Sequence, residues 1–129
     1  MDDLVQFLRD RYDDAESAAL GAKGETSGRW TQDDGPPEDI MLYDKSGKLT
    51  VGQARHIARH DPARVLAEIE AKRQILRDLE QAEFSLSKAE AGTVPHDLMT
   101  GAVNTLRRTV RLLAQPYSDH PDYREGWRP

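Results

Sequence analysis

The chain has 129 residues, no cysteine, and 23 acidic against 18 basic residues, which give a net charge of −5 at neutral pH. The absence of cysteine excludes disulfides, thiolate metal sites and cysteine nucleophiles, and the acidic balance argues against non-specific nucleic-acid binding, which needs a basic face. No apolar run could cross a membrane, and Asp2 and Asp3 stand where a signal peptide needs positive charge, so we expect one cytoplasmic domain over residues 1–129.

The charge is unevenly distributed along the chain. Residues 1–44 contain twelve acids and four bases, a net charge of −8, whereas residues 45–129 contain eleven acids and fourteen bases, a net charge of +3. Either the two parts attract each other, or the acidic part docks on a basic partner, for instance by occupying a nucleic-acid-binding site on another protein. Arg107, Arg108 and Arg111 could meet the acidic first helix or clamp a phosphate.

The first predicted helix begins at Asp2 and ends at Gly21. Apolar residues recur along it at helical spacing, at Leu4, Leu8, Tyr12, Ala15 and Ala19. Residues 21–37 are then rich in Gly, Ser, Thr, Asp and Pro, with Trp30 alone among them. We expect Trp30 to pin this loop, or to lie in a short strand over residues 29–32, with ligand stacking as the alternative.

A small β-hairpin is predicted around residues 40–51, and because two strands alone are not stable, it should lie against the helices or join a strand near Trp30. The runs 40–43 and 48–51 flank a turn that ends in Gly47. Thr50 and Gln53 have the spacing of a capping box, so the second strand should lead directly into a short helix that ends at His60.

The longest predicted element is an antiparallel helical hairpin. Asp61 followed by Pro62 is a strong helix start, and the apolar stripe from Val65 to Leu86 favours a helix to Glu90, about 43 Å long at 1.5 Å per residue. A helix of that length needs a partner, and residues 95–115 carry a second apolar stripe. The fold class is therefore mainly α, with this hairpin, an N-terminal helix and the small β-hairpin.

The last fifteen residues contain two tyrosines, a tryptophan and three prolines, which is not the composition of a disordered tail. We expect this segment to be ordered, with Pro121 opening a single helical turn. Tyr117, Tyr123 and Trp127 should fold back on apolar surface.

Two histidines four residues apart are a candidate metal-binding pair. His56 and His60 lie on one side of the short helix, a spacing that can bind a divalent metal. A third ligand would come from Asp61, Asp119, His120 or Asp97 beside His96. The alternative is that both are surface side chains, with His60 favoured at a helix C-terminus.

Two stretches resemble a known family. His-Ile-Ala-Arg-His-Asp-Pro-Ala-Arg-Val-Leu-Ala-Glu at 56–68 and Arg-Leu-Leu-Ala-Gln-Pro-Tyr-Ser-Asp-His-Pro-Asp-Tyr-Arg-Glu-Gly-Trp-Arg-Pro at 111–129 look like a family of small uncharacterised proteins of actinobacteria and their phages. Many members of that family carry cysteines between these stretches, whereas residues 84–108 have none, so no metal-binding role of that segment is implied. The resemblance implies a phage-associated setting and no mechanism.

No complete catalytic set accompanies these features. We find no serine-nucleophile elbow, phosphate-binding glycine loop or dinucleotide fingerprint. The main hypothesis is therefore a non-enzymatic helical interaction protein that binds a partner protein or forms a homodimer, without cofactor. The alternative is a small metal-dependent hydrolase or nucleotide-binding enzyme, with His56, His60 and His120 as the candidate ligands of a divalent metal. The further candidate binding residues are Trp30, Arg59, Asp61 and Asp119.

Overall fold

A computed structural model describes residues 1–31, 40–41 and 50–129, and this part of the chain is mainly α-helical, as predicted. The elements in chain order are α1 (Asp2–Lys23), β1 (Trp30–Thr31), β2 (Ile40–Met41), α2 (Val51–Arg59), α3 (Pro62–Lys88), α4 (Val94–Ala114) and the short 3-10 helices Gln115–Tyr117 and Glu125–Trp127. None of the described helices is long and apolar enough to cross a membrane.

The chain packs into two compact units. Residues 1–12 and 71–129 form the first unit, and residues 13–70 form the second. Helices α1 and α3 each contribute residues to both units.

The starts of α2 and α3 confirm two predicted caps. Thr50 Oγ1 accepts from the Gln53 amide at 3.1 Å, and Gln53 Oε1 accepts in return from the Thr50 amide at 2.8 Å. Asp61 Oδ1 accepts from the Arg64 amide at 2.8 Å, immediately before Pro62 opens α3. Side chains three residues apart therefore satisfy amides that have no partner within the helix.

The β structure differs from the predicted hairpin. Ile40–Met41 is a strand, but its partner is Trp30–Thr31, in parallel register, with Trp30 opposite Ile40. Val51, the predicted end of the second strand, is instead the first residue of α2, because the capping box at Thr50 starts the helix there. The predicted turn lies in residues 42–49, outside the described residues.

The predicted helical hairpin is formed by α3 and α4, and the first unit contains residues 71–88 of α3 and all of α4. Gly92, at a φ of 82°, lies in the turn between α3 and α4, and Thr93 caps α4. Across the hairpin, Arg107 Nη2 donates to Glu83 Oε1 at 2.8 Å, so this arginine pairs with α3 and not with an acid of the first helix. The buried side chains of this unit are Leu4, Val5, Phe7, Leu8, Tyr12, Leu76, Leu79, Val103, Val110, Ala114 and Trp127.

In the second unit, Gly28 joins the loop after α1 to the start of α3. Its carbonyl accepts from the Ala63 amide at 2.9 Å, and its φ of 77° favours glycine. A Cβ at this position would lie 3.2 Å from the Ala63 nitrogen and 3.1 Å from Lys23 Cγ. The loop therefore has little room for a side chain where it meets α3.

We predict that Gly28→Ala destabilises the protein more than Gly24→Ala. Gly24 also has a positive φ, 55°, but no atom lies within 4 Å of the position that a Cβ would take there, so its substitution should cost only the left-handed conformation, about 1–2 kcal/mol. Gly28→Ala should cost at least about 1 kcal/mol more, because it also displaces the Ala63 amide. Chemical denaturation of both variants measures the difference, and equal losses would contradict this account of the loop.

A second prediction concerns the buried phenol of Tyr12. Tyr12 is 1% exposed, and burial raises the pKa of its hydroxyl, as does the neighbouring Tyr117. Because the pKa of Tyr12 in the folded state lies above the unfolded value of about 10, ionisation of the phenol favours the unfolded chain. The stability that depends on the neutral phenol is therefore intact below about pH 10 and is lost as the pH rises further. Tyr12→Phe should therefore lose stability less steeply than the wild type above about pH 10, by at most about 1.4 kcal/mol per pH unit.

Urea denaturation of both proteins at neutral and alkaline pH checks this prediction. At neutral pH the Tyr12→Phe protein should be at least as stable, since the Tyr12 hydroxyl is buried without a hydrogen-bond partner among the described residues. Parallel stability curves at alkaline pH would contradict the prediction.

Candidate functional site

The aromatic residues of the C-terminal segment pack around Phe7 of α1. The Phe7 ring centroid lies 5.0 Å from that of Trp127, 6.2 Å from that of Tyr117 and 6.2 Å from that of Tyr123. The His120 ring also meets Phe7 edge-on, at 5.5 Å. The predicted folding back of the terminal aromatic residues is therefore confirmed, and Phe7 is the residue that they cover.

A series of tight turns brings these rings together. The amide of His120 donates to the Tyr117 carbonyl at 2.9 Å, and the amide of Tyr123 donates to the His120 carbonyl at 2.9 Å. The expectation that Pro121 opens a helical turn was wrong, since Pro121 lies inside the turn from His120 to Tyr123. The helical turn forms instead at Glu125–Trp127, and it places Trp127 against α1.

A cleft of about 520 Å³ lies between the N-terminal half of α1 and this segment. We call it the aromatic cleft, and its lining residues are Asp3, Gln6, Phe7, Asp10, Arg11, Pro121, Asp122, Tyr123, Arg124 and Trp127. All of them belong to the first unit. Aromatic rings and charged side chains thus share one concave surface.

Both arginines of the cleft are held over aromatic rings. The Arg11 guanidinium lies 5.3 Å from the Phe7 centroid, and that of Arg124 lies 5.4 Å from the Trp127 centroid, within the range of cation–π attraction. Arg124 Nη1 also donates to Asp3 Oδ2 at 2.5 Å. These cations are therefore already engaged by groups of the protein itself.

Asp3 is the carboxyl whose ionisation this arrangement changes. Desolvation acts to raise its pKa, but the Leu4 amide donates to Oδ1 at 2.9 Å, and the N-terminal ammonium and Arg124 lie nearby. The net result is that the pKa of Asp3 lies below its usual value. Asp3 is therefore an ionised carboxylate when it accepts the hydrogen bond from Arg124.

His120, which precedes the cleft residue Pro121, is half-buried and lies between two N–H donors. Arg11 Nη1 lies 2.6 Å from its Nε2, and the Asp122 amide lies 3.1 Å from its Nδ1. When the ring is neutral, only one of its nitrogens can accept, so it accepts one of these hydrogen bonds and lies beside the other donor. His120 thereby links Arg11 of α1 to the turn at Asp122.

Tyr117 lies behind the cleft, against Phe7. Burial raises the pKa of its hydroxyl, and the Arg11 guanidinium partly offsets this effect by favouring the phenolate. Tyr117 therefore remains a neutral phenol at physiological pH.

The other candidate residues lie in different places. Asp119 is exposed in the first unit, whereas His56, Arg59 and His60 are exposed at the end of α2 in the second. Among the described residues no group of three or more His, Cys, Asp or Glu side chains could hold a metal ion. The predicted metal site with three ligands thus has no counterpart in the part of the chain that the structure describes.

Asp61 and Trp30 have a structural role in the second unit. Asp61 uses Oδ1 to cap α3 and Oδ2 to accept from the Trp30 amide at 3.2 Å. Trp30 is half-buried and begins β1, which lies against α2. The carboxylate of Asp61 therefore holds two segments of backbone together.

Sequence reasoning missed Phe7, Arg11 and Arg124 as site residues. Phe7 follows Leu4 by three positions and precedes Arg11 by four. This helical spacing places Leu4, Phe7 and Arg11 on one side of α1. That spacing could have indicated a face that the terminal aromatic residues cover. Only the fold shows that Arg124 and Asp3 meet.

The chain is similar over its whole length to a known protein family. A family model described as a family of unknown function, DUF6221, matches residues 1–129. No curated protein and no solved structure matches the chain. Since the match covers every residue, the chain belongs to the family of unknown function DUF6221.

Proposed function

We propose that the protein is a non-enzymatic interaction module whose aromatic cleft binds a short segment of a partner protein that carries lysine or arginine between apolar residues. The observation that carries this proposal is the combination of an aromatic floor with open carboxylates at the rim of the cleft. A volume of about 520 Å³ suits a few side chains of an extended segment.

The floor of the cleft supports apolar binding. Phe7 and Trp127 are buried, and Tyr123 is half-buried beside them. Aromatic side chains contribute large contact area at low conformational cost, and they are enriched among the residues that dominate binding energy. The apolar side chains of a partner segment would lie against Tyr123 and the small exposed parts of the Phe7 and Trp127 rings.

The charges at the rim favour a cation over an anion. Arg11 and Arg124 are engaged by aromatic rings, and Arg124 is also paired with Asp3. Asp10 accepts from the neutral amide of Gln6, and Asp122, whose side chain is 79% exposed, has its Oδ2 3.9 Å from His120 Nδ1. A bound phosphate would meet these two carboxylates, whereas a lysine or arginine would pair with them.

The setting is a further part of the proposal. The resemblance of residues 56–68 and 111–129 to proteins of actinobacteria and their phages supports a phage- or prophage-associated role. The acidic composition and the lack of a membrane-crossing helix among the described residues support a cytoplasmic location.

The enzymatic alternative rests on His56, His60 and His120. A catalytic zinc site normally has three protein ligands. Because the described residues provide no such group, the aromatic cleft is the better candidate for function.

Binding of two synthetic peptides tests the proposal. We expect a fluorescein-labelled peptide of alternating lysine and leucine to bind the full chain, and one of alternating glutamate and leucine to bind much more weakly. Asp10→Asn with Asp122→Asn should weaken binding of the lysine peptide by about three- to tenfold, because each exposed ion pair contributes up to about 1 kcal/mol. Fluorescence anisotropy measures both effects.

The matched control removes two exposed acids of the first unit that lie outside the cleft. Asp78→Asn with Glu90→Gln changes the net charge equally, so it should leave the affinity nearly unchanged. If both double variants lose the same affinity for the lysine peptide, the effect comes from net charge alone and the proposal is overturned. Sedimentation analysis tests for self-association. If the wild type and the control variant are dimers and the Asp10/Asp122 variant is a monomer, the cleft binds a second copy of the chain and not a partner segment.

A further inference from the structure

The second unit carries two adjacent imidazoles that the proposed function does not use. His56 and His60 are both exposed, and their ring centroids lie 4.5 Å apart with an interplanar angle of 36°. The spacing of four residues places both rings on the same face of α2. Two nitrogen donors are thus already side by side in solvent.

A hydrogen bond fixes which nitrogen of His60 can bind a metal. His60 Nδ1 lies 2.9 Å from the His56 carbonyl oxygen. Since a carbonyl only accepts, Nδ1 carries the proton and donates it, and Nε2 of the neutral ring keeps its lone pair. Histidines that bind metals are commonly oriented in this way, through donation of the other ring N–H to a backbone carbonyl.

We propose that His56 and His60 form a two-ligand site for a divalent transition-metal ion of the zinc, copper and nickel class. Imidazole nitrogen suits these ions, whereas magnesium and calcium prefer oxygen. Water fills the remaining coordination positions.

The neighbouring Asp61 does not complete the site. Both of its carboxylate oxygens accept from backbone amides, Oδ1 from Arg64 and Oδ2 from Trp30. No group of three ligands exists among the described residues. The ion is therefore bound at the surface by two protein ligands and exchanges with solvent, unlike a closed structural zinc site, which has four ligands.

The charges on α2 limit the affinity of this site. Arg55 and Arg59 are exposed on the same helix and repel a divalent cation. Both side chains are long enough to keep their guanidinium groups in water away from the imidazoles. The site consequently binds more weakly than a site with acidic neighbours.

Titration of the full-length protein with Zn²⁺ alone, after removal of metal with a chelator, tests this inference. We expect one ion per chain by isothermal titration calorimetry. His56→Ala and His60→Ala should each weaken binding by at least about tenfold, because removing a ligand should cost no less than removing its supporting partner. With Cu²⁺ in place of Zn²⁺, electron paramagnetic resonance should show coupling to two imidazole nitrogens.

His96→Gln serves as the matched control. His96 lies in the first turn of α4, outside the second unit, so its loss should leave the affinity for Zn²⁺ and the stoichiometry unchanged. Circular dichroism of each variant confirms that the helices are retained. Binding that survives in the double variant His56→Ala/His60→Ala, or that His96→Gln weakens to the same degree, would falsify the assignment.

Discussion

The packing of aromatic rings around Phe7 is the interaction on which the first unit depends. Phe7 has four ring neighbours within 6.2 Å, and Arg11 stacks on it from its own helix. Each aromatic pair adds about 0.5–1.5 kcal/mol beyond the apolar area that it buries. Without this ring the terminal aromatic residues lose the side chain of α1 on which they pack, and the aromatic cleft loses part of its floor. Fold stability and candidate function therefore rest on the same side chain.

In the second unit, a residue with a structural role and two exposed histidines lie within a few positions of each other. Asp61 is a carboxylate next to a histidine, which in sequence looks like part of a reactive group. Its two oxygens are in fact bonded to backbone amides at the start of α3 and in β1. His56 and His60 remain exposed and adjacent. Polar residues close together in sequence thus fall into different roles according to which hydrogen-bond partners the fold supplies.

The sequence predicted the features that depend on local spacing. The caps at Thr50 and Asp61 and the long helices rest on residues three or four positions apart, and the structure confirms them. A strand at Trp30 that joins the strand at Ile40 was among the predicted alternatives, but its parallel register was not predicted, because two-residue strands show no alternation that a pattern could reveal. The cleft was missed for a similar reason. Asp3 and Arg124, which close it, are separated by 121 positions.

That separation also determines when the Phe7 face can be covered during synthesis. The ribosome adds about 5–20 residues per second, and α1 leaves it long before Trp127 is made. Contacts between distant residues form late, because the intervening chain must first lose its freedom. Until Trp127 is made, the nascent chain therefore presents an uncovered apolar face at Phe7, the kind of surface that chaperones recognise. The same distance in sequence that hides the cleft from pattern analysis delays its closure until Trp127 has left the ribosome.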